Sequence, residues 1–229
     1  MPKKVSVIIP ARNEEKYIQR AIEKYKSQNY PVEVVIVVND SQDKTYELAI
    51  GKADKVLNFT SKIGVSLARN QGAKVATGDI FIFSDADSYL EPGSLEKISQ
   101  QAGENFMGTP LGTPDKKSIR GSIIFFCKNW AHKLKIYKGV IDGVFFCHRN
   151  VFEKVGGFDE TKKIAEFKDF IERAEKLKVE YKLLKNCYAI TSLRRYENNG
   201  YFRTLFFWLI WMILHLLKLD KKFRERYFK

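Results

Sequence analysis

Acidic side chains lie shortly after the apolar runs that predict strands in the first half of the sequence. Runs at 5–9, 34–38 and 80–83 precede five such carboxylates, Glu14, Asp40, Asp43, Asp85 and Asp87. Because ligands bind beyond the carboxyl ends of parallel strands, we expect these side chains to converge at one edge of a sheet. Like charges gathered there repel unless a cation or ligand donors neutralise them. The pattern predicts a binding site, with helix caps and solvated loop acids as the alternative for each residue taken singly.

The tripeptide Asp85-Ala86-Asp87 carries the most specific chemistry. Carboxylate oxygens suit hard divalent ions such as Mn2+ or Mg2+, which keep open positions for phosphate oxygens. The spacing lets one carboxylate hold the metal while the other turns towards a sugar. The sequence has neither a GxGxxG after its first strand nor a Walker A motif, so a metal must supply more of the phosphate neutralisation.

The elements that must position these residues alternate along the first half of the chain. Apolar and β-branched runs predict strands at 5–9, 34–38, 55–59 and 79–83. Helical spacing predicts helices at 14–27, 44–51 and 65–76, with Ser41 as a candidate N-cap of the second. Since parallel strands need crossover connections, this order predicts a three-layer α/β/α fold with a mainly parallel, Rossmann-like sheet.

The second half of the chain is less regular. Its glycines and prolines predict a loop at 106–117. The remaining patterns predict helices at 93–101, 119–137 and 165–177, a short helix capped by Asn150, and a strand at 140–146. Segments 181–184 and 187–191 are predicted to pair as a hairpin around Lys185-Asn186.

Composition excludes some classes of protein. The 229 residues are 45% hydrophobic, which excludes intrinsic disorder, and a net charge of +13 predicts a phosphate-bearing or anionic partner. That partner is not predicted to be nucleic acid, because the convergent acids oppose phosphate-backbone contacts. Cys127, Cys147 and Cys187 form neither a disulfide framework nor a zinc motif, and the apolar run at 5–9 is too short for a signal peptide. These features predict a cytoplasmic location.

The order and spacing of five motifs, over about residues 3–195, resemble the family 2 glycosyltransferases. The motifs are VSVIIPARNEE at 5–15, VVNDSQDKT at 37–45, GVSLARNQG at 64–72, SDAD at 84–87 and GGFDE at 156–160. The resemblance implies a GT-A fold, a nucleoside-diphosphate sugar donor, a divalent metal and inversion at the anomeric carbon. A sugar-nucleotidyltransferase, whose nucleotide loop is usually rich in glycine, is the weaker enzyme alternative, and a basic membrane- or nucleic-acid-binding module is the alternative outside the enzymes.

The resemblance also implies roles for individual residues. It places Pro10, Arg12 and Glu14 in the nucleotide-binding loop, Asp40 at the base, Arg69 near the nucleotide or the Asp-Ala-Asp loop, Asp85 at the ribose or sugar and Asp87 at the metal. A salt bridge from Arg69 to Asp85 or Asp40 is an equally good interpretation. Arg194 and Arg195 take the position of basic residues that close over the diphosphate, or else form a solvated basic turn.

The sequence departs from the family at the catalytic base. Members commonly carry Glu-Asp after GGFDE, whereas here Glu166 is followed by Phe167. Glu166 and Asp169 share a helix face, and either could reach an acceptor hydroxyl. The alternative for Asp169 is an ion pair with Arg173 at i+4. An acceptor that is already an anion, such as a polyprenyl phosphate, would need no base.

The last residues combine apolar and basic character. Residues 192–229 hold nine Lys or Arg and three Asp or Glu, a net charge of +6, around an uncharged aromatic-rich segment at 204–217. As a helix this segment is about 21 Å long, too short to span a bilayer but suited to the interface of an anionic membrane. We expect a glycosyltransferase domain at 1–199 and an interfacial segment at 200–229, with a lipid-linked or membrane-borne acceptor at the cytoplasmic face. Packing on the domain or on a second copy in a homodimer is the alternative.

Overall fold

A mixed sheet with helices on both faces organises the chain in a computed structural model, which describes residues 3–61, 64–134, 143–162 and 165–204 and positions 206, 210 and 213. The strands are β1 (Val5–Ala11), β2 (Val32–Asn39), β3 (Lys55–Phe59), β4 (Ile80–Ser84), β5 (Ser88–Leu90), β6 (Phe106–Pro114), β7 (Val144–His148) and β8 (Glu180–Thr191). The helices are α1 (Ile18–Lys26), α2 (Thr45–Ala49), α3 (Val65–Val75), α4 (Ser94–Gln101), α5 (Ile119–Lys133), α6 (Arg149–Val155), α7 (Glu166–Lys176) and α8 (Arg194–Asn199).

The strand order is β3-β2-β1-β4-β7-β6-β8-β5. Strands β3, β2, β1 and β4 are parallel, so their carboxyl ends lie at one edge. Strand β7 runs antiparallel to both β4 and β6, while β6 and β8 are parallel. The predicted mainly parallel α/β sheet is confirmed, and it brings the Asp85 and Asp40 loops to the same edge.

Both faces of the sheet are buried, as three layers require. Val7 and Ile9 of β1 pack into a core with α1, whereas the intervening Ile8 joins the opposite core with α3, α6 and α7. Alternate side chains of one strand thus anchor helices on opposite faces. The four strands and three helices predicted for the first half are all present, although α1 begins at Ile18 and α2 at Thr45.

Segment 106–117 is not the predicted loop. Residues Phe106–Pro114 form β6, which lies between β7 and β8. A Cβ atom at Gly108 would lie 2.2 Å from the carbonyl oxygen of Lys182 and 2.9 Å from the ring of Phe146. This glycine allows close packing inside the sheet, and the prediction mistook it for a turn residue.

The predicted hairpin at 181–191 is also wrong. Residues Glu180–Thr191 form one strand that pairs with β6 in parallel on both sides of a register shift, where Pro110 pairs with Leu184 and Leu111 with Tyr188. The Lys185-Asn186 signal therefore marks an irregularity within a strand.

Three boundaries differ from the prediction near the ends of elements. Ser41 does not cap α2, because its hydroxyl accepts a hydrogen bond from the Asn13 N–H at 3.0 Å. The short helix α6 is capped by the side chain of His148, which accepts from the Asn150 N–H. The predicted strand at 140–146 begins at Val144, and its first three positions lie outside the described residues, as do 135–137 of the predicted helix at 119–137.

The chain continues as a helix from Tyr201 to Thr204 after α8. Most of the predicted 204–217 segment lies outside the described residues, apart from Thr204, Phe206, Ile210 and Ile213. Within the described part of the chain, no helix has the length and apolar character needed to cross a membrane.

Glu33 at the start of β2 joins three elements through a buried carboxylate. It accepts from the Ser6 hydroxyl at 2.5 Å, the Thr77 N–H at 2.7 Å and the Lys55 ammonium, whose nitrogen lies 2.8 Å from the carboxylate. Burial raises the pKa of Glu33, but the hydrogen bonds from Lys55, Ser6 and Thr77 outweigh it and lower the pKa to about 2.

Replacing Glu33 by Gln is therefore expected to lower the free energy of unfolding by about 1–3 kcal/mol at neutral pH. Because the folded pKa lies below the unfolded value, the carboxylate contributes stability above pH 4.5 and loses it as the pH falls towards about 2. Urea unfolding of both proteins should show the difference shrinking with acidification. Glu96→Gln, at an exposed position of α4, is the control; a pH-independent difference would contradict this account.

Candidate active site

A cavity of about 390 Å3 opens at the carboxyl edge of β1, β2 and β4. It is lined by most of the residues predicted to act together, namely Pro10, Arg12, Glu14, Arg69, Asp85, Asp87, Glu166, Arg194 and Arg195. The other predicted residues, Asp40, Asp43 and Asp169, do not line it. Side chains from five separate stretches of the sequence thus converge on one space.

Arg69 ties two carboxylates together at the floor of the cavity. Its Nη1 lies 2.6 Å from Glu166 Oε1 and its Nη2 lies 2.9 Å from Asp85 Oδ1, while the residue is only 2% exposed. The guanidinium also stacks on the ring of Phe167, with Cζ 4.1 Å from the ring centroid. The salt bridge from Arg69 to Asp85 is therefore present, and a second bridge to Glu166 was not predicted.

Close packing of α3 on the sheet places Arg69. A Cβ atom at Gly72 would lie 2.4 Å from Ile8 and 2.9 Å from Val37, so this glycine lets α3 approach β1 and β2. Arg69 lies three residues earlier and reaches the carboxyl edge of the sheet. The GVSLARNQG motif thus supplies both the close contact and the cation.

Asp85 follows the last residue of β4, and its backbone N–H donates to the carbonyl of Gly143 at 2.8 Å. Desolvation raises the pKa of Asp85, although Arg69 opposes this shift. Gly143 has a φ of +71°, and a Cβ atom there would lie 2.8 Å from Asp85 Oδ2. The carboxylate is therefore held between Arg69 and a glycine that leaves room for it.

Arg194 bridges the other two acids of the cavity. Its Nη1 and Nη2 each lie 2.6 Å from a Glu14 oxygen, and its Nε lies 2.7 Å from Asp87 Oδ2. The guanidinium also lies over the ring of Tyr17, with Cζ 4.5 Å from the centroid. The Glu14 hydrogen bonds raise the pKa of Arg194, and desolvation raises that of Asp87 against the effect of Arg194. Arg194 thus neutralises the carboxylate predicted to hold the metal.

Asp40 pairs with Arg12, which lines the cavity. Its Oδ2 is 2.6 Å from Nη2 of Arg12, and the Asp40 backbone takes a left-handed φ of +55°. The two loops also interlock through Gln42, whose N–H donates to Asn13 Oδ1 at 2.8 Å. Asp43 acts as a loop acid, since its carboxylate accepts from the N–H groups of Glu15 and Thr45.

Asp169 is turned away from the cavity. Its Oδ2 lies 2.9 Å from Nε of Arg173, which also donates to the carbonyls of Val155 and Gly157. The ion pair weighed as the alternative for Asp169 is therefore present. Of the two candidate bases, Glu166 alone lines the cavity.

Lys128 and Tyr17 were not among the predicted site residues. A second cavity of about 70 Å3 is lined by Lys128 together with Asp85, Asp87 and Arg195. Lys128 is 7% exposed and occupies a buried position of α5, between Ile124 and Ala131. The position of Lys128 on the apolar face of a predicted helix could have identified it as a site residue. No sequence pattern distinguishes Tyr17.

The carboxylates suit a divalent metal whose coordination shell is completed by a bound ligand. Within the described residues, no group of three or more His, Cys, Asp or Glu forms a metal site by itself. Mg2+ is commonly held by one or two carboxylates together with substrate phosphates, and Mn2+ accepts the same oxygen ligands. Asp87, with Asp85 beside it, meets that requirement, and desolvation of both carboxylates favours a nearby cation.

Comparison with known proteins agrees with this geometry. The family model described as Glycosyl transferase family 2 matches residues 6–171. A 4,4'-diaponeurosporenoate glycosyltransferase of Staphylococcus haemolyticus is 41% identical over 42% of this chain and 28% of its own length. A dolichol-phosphate mannosyltransferase of Pyrococcus furiosus is 32% identical over 60% of this chain and 39% of its own length. The chain therefore matches less than half the length of each of these relatives.

Solved structures share the fold. Mannosyltransferase PcManGT from Pyrobaculum calidifontis, in complex with GDP-Man and Mn2+, has a TM-score of 0.65 at 19% identity and covers 82% of this chain and 57% of its own. TarS 1-349 of S. aureus in complex with UDP-GlcNAc has a TM-score of 0.62 at 21% identity, with 82% and 58% covered. At such identities the likeness shows the fold alone, and it confirms the predicted GT-A architecture.

Proposed function

The chain belongs to glycosyl transferase family 2, and on that premise we propose that it transfers a sugar, with inversion, from a nucleoside-diphosphate sugar to a lipid-linked or membrane-borne acceptor. The observation that carries the proposal is the cavity at the carboxyl edge of the sheet. There Asp85 and Glu166 contact Arg69, and Asp87 contacts Arg194. The carboxylates can bind a metal ion and accept hydrogen bonds from sugar hydroxyl groups, and arginine side chains can bind a diphosphate.

Asp87, supported by Asp85, would hold Mn2+ or Mg2+ in this proposal. A bound divalent ion would neutralise the charge that develops on the departing diphosphate. Arg194 already lies beside Asp87 and can exchange its carboxylate partners for phosphate oxygens. Arg195 lines both cavities and supplies a second cation there.

The remaining residues orient the donor and the acceptor. Asp40 would accept hydrogen bonds from the nucleotide base, with Arg12 holding its carboxylate and Pro10 shaping the loop. Asp85 would accept from a ribose or sugar hydroxyl. Glu166 would take the proton of an acceptor hydroxyl, and Arg69 fixes its position through the 2.6 Å contact.

A second candidate is a polyprenyl-phosphate sugar synthase. Both candidate bases are paired with cations, Glu166 with Arg69 and Asp169 with Arg173. A carboxylate held by arginine is a weaker base, whereas a phosphate acceptor attacks as an anion and needs none. The name of the dolichol-phosphate mannosyltransferase relative supports this candidate.

Binding of the donor tests the proposal. A panel of UDP-, GDP- and dTDP-sugars should contain one that binds the full chain in calorimetry with Mn2+ and much more weakly with EDTA. Binding of none of them, with or without the metal, would overturn the proposed activity.

We further propose a peripheral location at the cytoplasmic face of a membrane, held there by the C-terminal segment. Phe206 and Ile213 are 62% and 52% exposed, and basic residues lie on both sides of this segment in the sequence. Apolar side chains at such an interface add to the attraction of lysine and arginine for anionic lipid.

The variant Phe206→Glu/Ile213→Glu is expected to reduce flotation of the full chain with phosphatidylglycerol vesicles by about tenfold. Wild-type flotation should itself weaken as salt rises, because screening weakens the attraction of exposed charges. Ile50→Glu, an exposed apolar position at the end of α2, serves as the matched control. Unchanged flotation of the double variant would remove this segment from membrane binding, and a dimer disrupted by it would indicate a partner interface.

A further inference from the structure

Helix α5 exposes a continuous apolar stripe. Its members are Ile119, Ile123, Phe126 and Trp130 together with the C-cap residue Leu134, and they are between 51% and 83% exposed. Spacings of four, three, four and four residues place all of them within an arc of about 80° on a helix that turns 100° per residue. Exposed apolar patches of this extent mark sites of interaction.

The stripe is displayed by a helix whose other face is anchored. Ile124 and Phe125 pack with Leu193 and Tyr196 in a separate small core. A Cβ atom at Gly121 would lie 2.8 Å from Leu193, so the helix lies close against the start of α8. Rotation of the stripe into the protein would break these contacts, and the apolar face is therefore a surface of the folded chain.

Positive charge surrounds the stripe. Lys117, Arg120 and Lys133 are exposed in or just before α5, and no Asp or Glu occurs in the sequence from 116 to 141. At 100° per residue, Arg120 and Lys133 lie on opposite flanks of the apolar arc. An apolar strip between cations is complementary to a surface that has acyl chains beneath anionic head groups.

The chain after α8 extends this surface. Tyr201 packs beside the small core, and the guanidinium of Arg120 lies 6.0 Å from the centroid of its ring. Phe202, in the same turn, is 81% exposed. The turn that contacts Arg120 through Tyr201 thus also carries an exposed apolar side chain.

We propose that the exposed face of α5 docks on an anionic phospholipid bilayer as a membrane contact additional to the C-terminal segment. A second copy of the chain is a poorer occupant, because a two-fold interface would bring the same flanking cations, Lys117, Arg120 and Lys133, together. Lys128, on the anchored side of α5, lines the small cavity that contains Asp85 and Asp87. Docking would therefore hold that cavity about one helix diameter, roughly 10–12 Å, from the membrane surface. Membrane docking by α5 does not depend on the proposed function. Only the idea that docking brings the cavity to a membrane-borne acceptor rests on it.

The variant Phe126→Glu/Trp130→Glu tests the face in the full chain. Flotation with vesicles of phosphatidylglycerol and phosphatidylcholine should fall by at least about tenfold. Ile50→Glu/Leu177→Glu, at two exposed apolar positions outside α5, is the matched control and should float like the wild type. Phe126 and Trp130 are both more than half exposed, so the substitutions should not disturb the core. Thermal unfolding followed by circular dichroism checks that the fold is preserved.

Fluorescence of Trp130 tests the contact even if the C-terminal segment alone suffices for flotation. The chain has three tryptophans, so Trp208→Phe/Trp211→Phe leaves Trp130 as the sole reporter. Its emission should shift to the blue and be quenched by brominated lipid when anionic vesicles are added. Unchanged emission while the protein floats would overturn the proposal, as would a blue shift without vesicles that accompanies dimerisation.

These outcomes are separable from failure of the proposed function. Binding of nucleoside diphosphate, measured by calorimetry without vesicles, should be the same in the Phe126→Glu/Trp130→Glu variant and in the wild type. Loss of vesicle contact with donor binding retained supports the docking face. Absence of donor binding in the wild type would count against the glycosyltransferase proposal and leave the membrane result standing.

Discussion

Replacing Asp87 by Asn is expected to weaken the metal-dependent binding of a nucleoside diphosphate by at least about 100-fold. The proposed site has few carboxylate ligands, and even the loss of outer-shell partners of a metal costs about 10–100-fold in affinity. The fold should tolerate the change, because Arg194 keeps its two contacts to Glu14 when Asp87 no longer carries charge. Calorimetry with the nucleoside diphosphate of the best donor in the panel, with Mn2+ and with EDTA, measures the effect.

Two comparisons make this experiment specific. Asp169→Asn makes the same chemical change outside the cavity and should leave metal-dependent binding unchanged. Binding in EDTA should not fall in Asp87→Asn, since the proposed contact of Asp40 with the base is untouched and Arg194 loses a competing carboxylate. Full metal-dependent binding in Asp87→Asn would show that the metal is held by other residues.

Glu166→Gln is expected to lower the rate of transfer to a hydroxyl acceptor by about 10²- to 10⁴-fold, the usual contribution of a general base. The amide can still accept the hydrogen bond from Arg69, so the position of the side chain and the affinity for donor should persist. Single-turnover transfer from the identified donor, with donor affinity measured separately, isolates the chemical step.

The choice of acceptor separates the two candidate functions. A neutral lipid alcohol such as diacylglycerol needs its proton removed, whereas a polyprenyl phosphate is already ionised. A rate loss with the alcohol supports Glu166 as the base, and unchanged transfer to the phosphate supports the synthase. Asp169→Asn should leave both rates near the wild-type level because Asp169 faces Arg173. Equal losses with both acceptors would show that Glu166 positions Arg69 or Asp85 rather than moving a proton.

Much of the cavity at the carboxyl edge of the sheet was predictable from local sequence. Strands β1, β2 and β4 are short, apolar and contain repeated β-branched residues, and the alternation of β1 to β4 with helices permits few arrangements other than a parallel sheet. Residues directly after these strands must then lie at one edge. Of the five carboxylates predicted in this way, Glu14, Asp85 and Asp87 line the same cavity, whereas Asp40 and Asp43 do not.

Local patterns failed where a residue served a distant partner. Gly108 and the prolines around it indicate a loop, yet they lie in β6, where close approach to Lys182 and Phe146 favours a residue without a side chain. Likewise Lys185-Asn186 resembles a turn, but β6 pairs with the strand on both sides of it. Interior sheet position outweighs single-residue propensity, because each ladder hydrogen bond and buried contact depends on a neighbouring strand.

Ion pairing in the cavity was decided by the tertiary structure. Arg194 contacts Glu14 across 180 positions of sequence, and Arg69 contacts Glu166 across 97. The sequence predicted charged residues at this edge and Asp85 as one partner of Arg69. The tertiary structure decided which arginine pairs with which acid. Coulombic attraction selects partners by distance in space, and only the folded chain defines those distances.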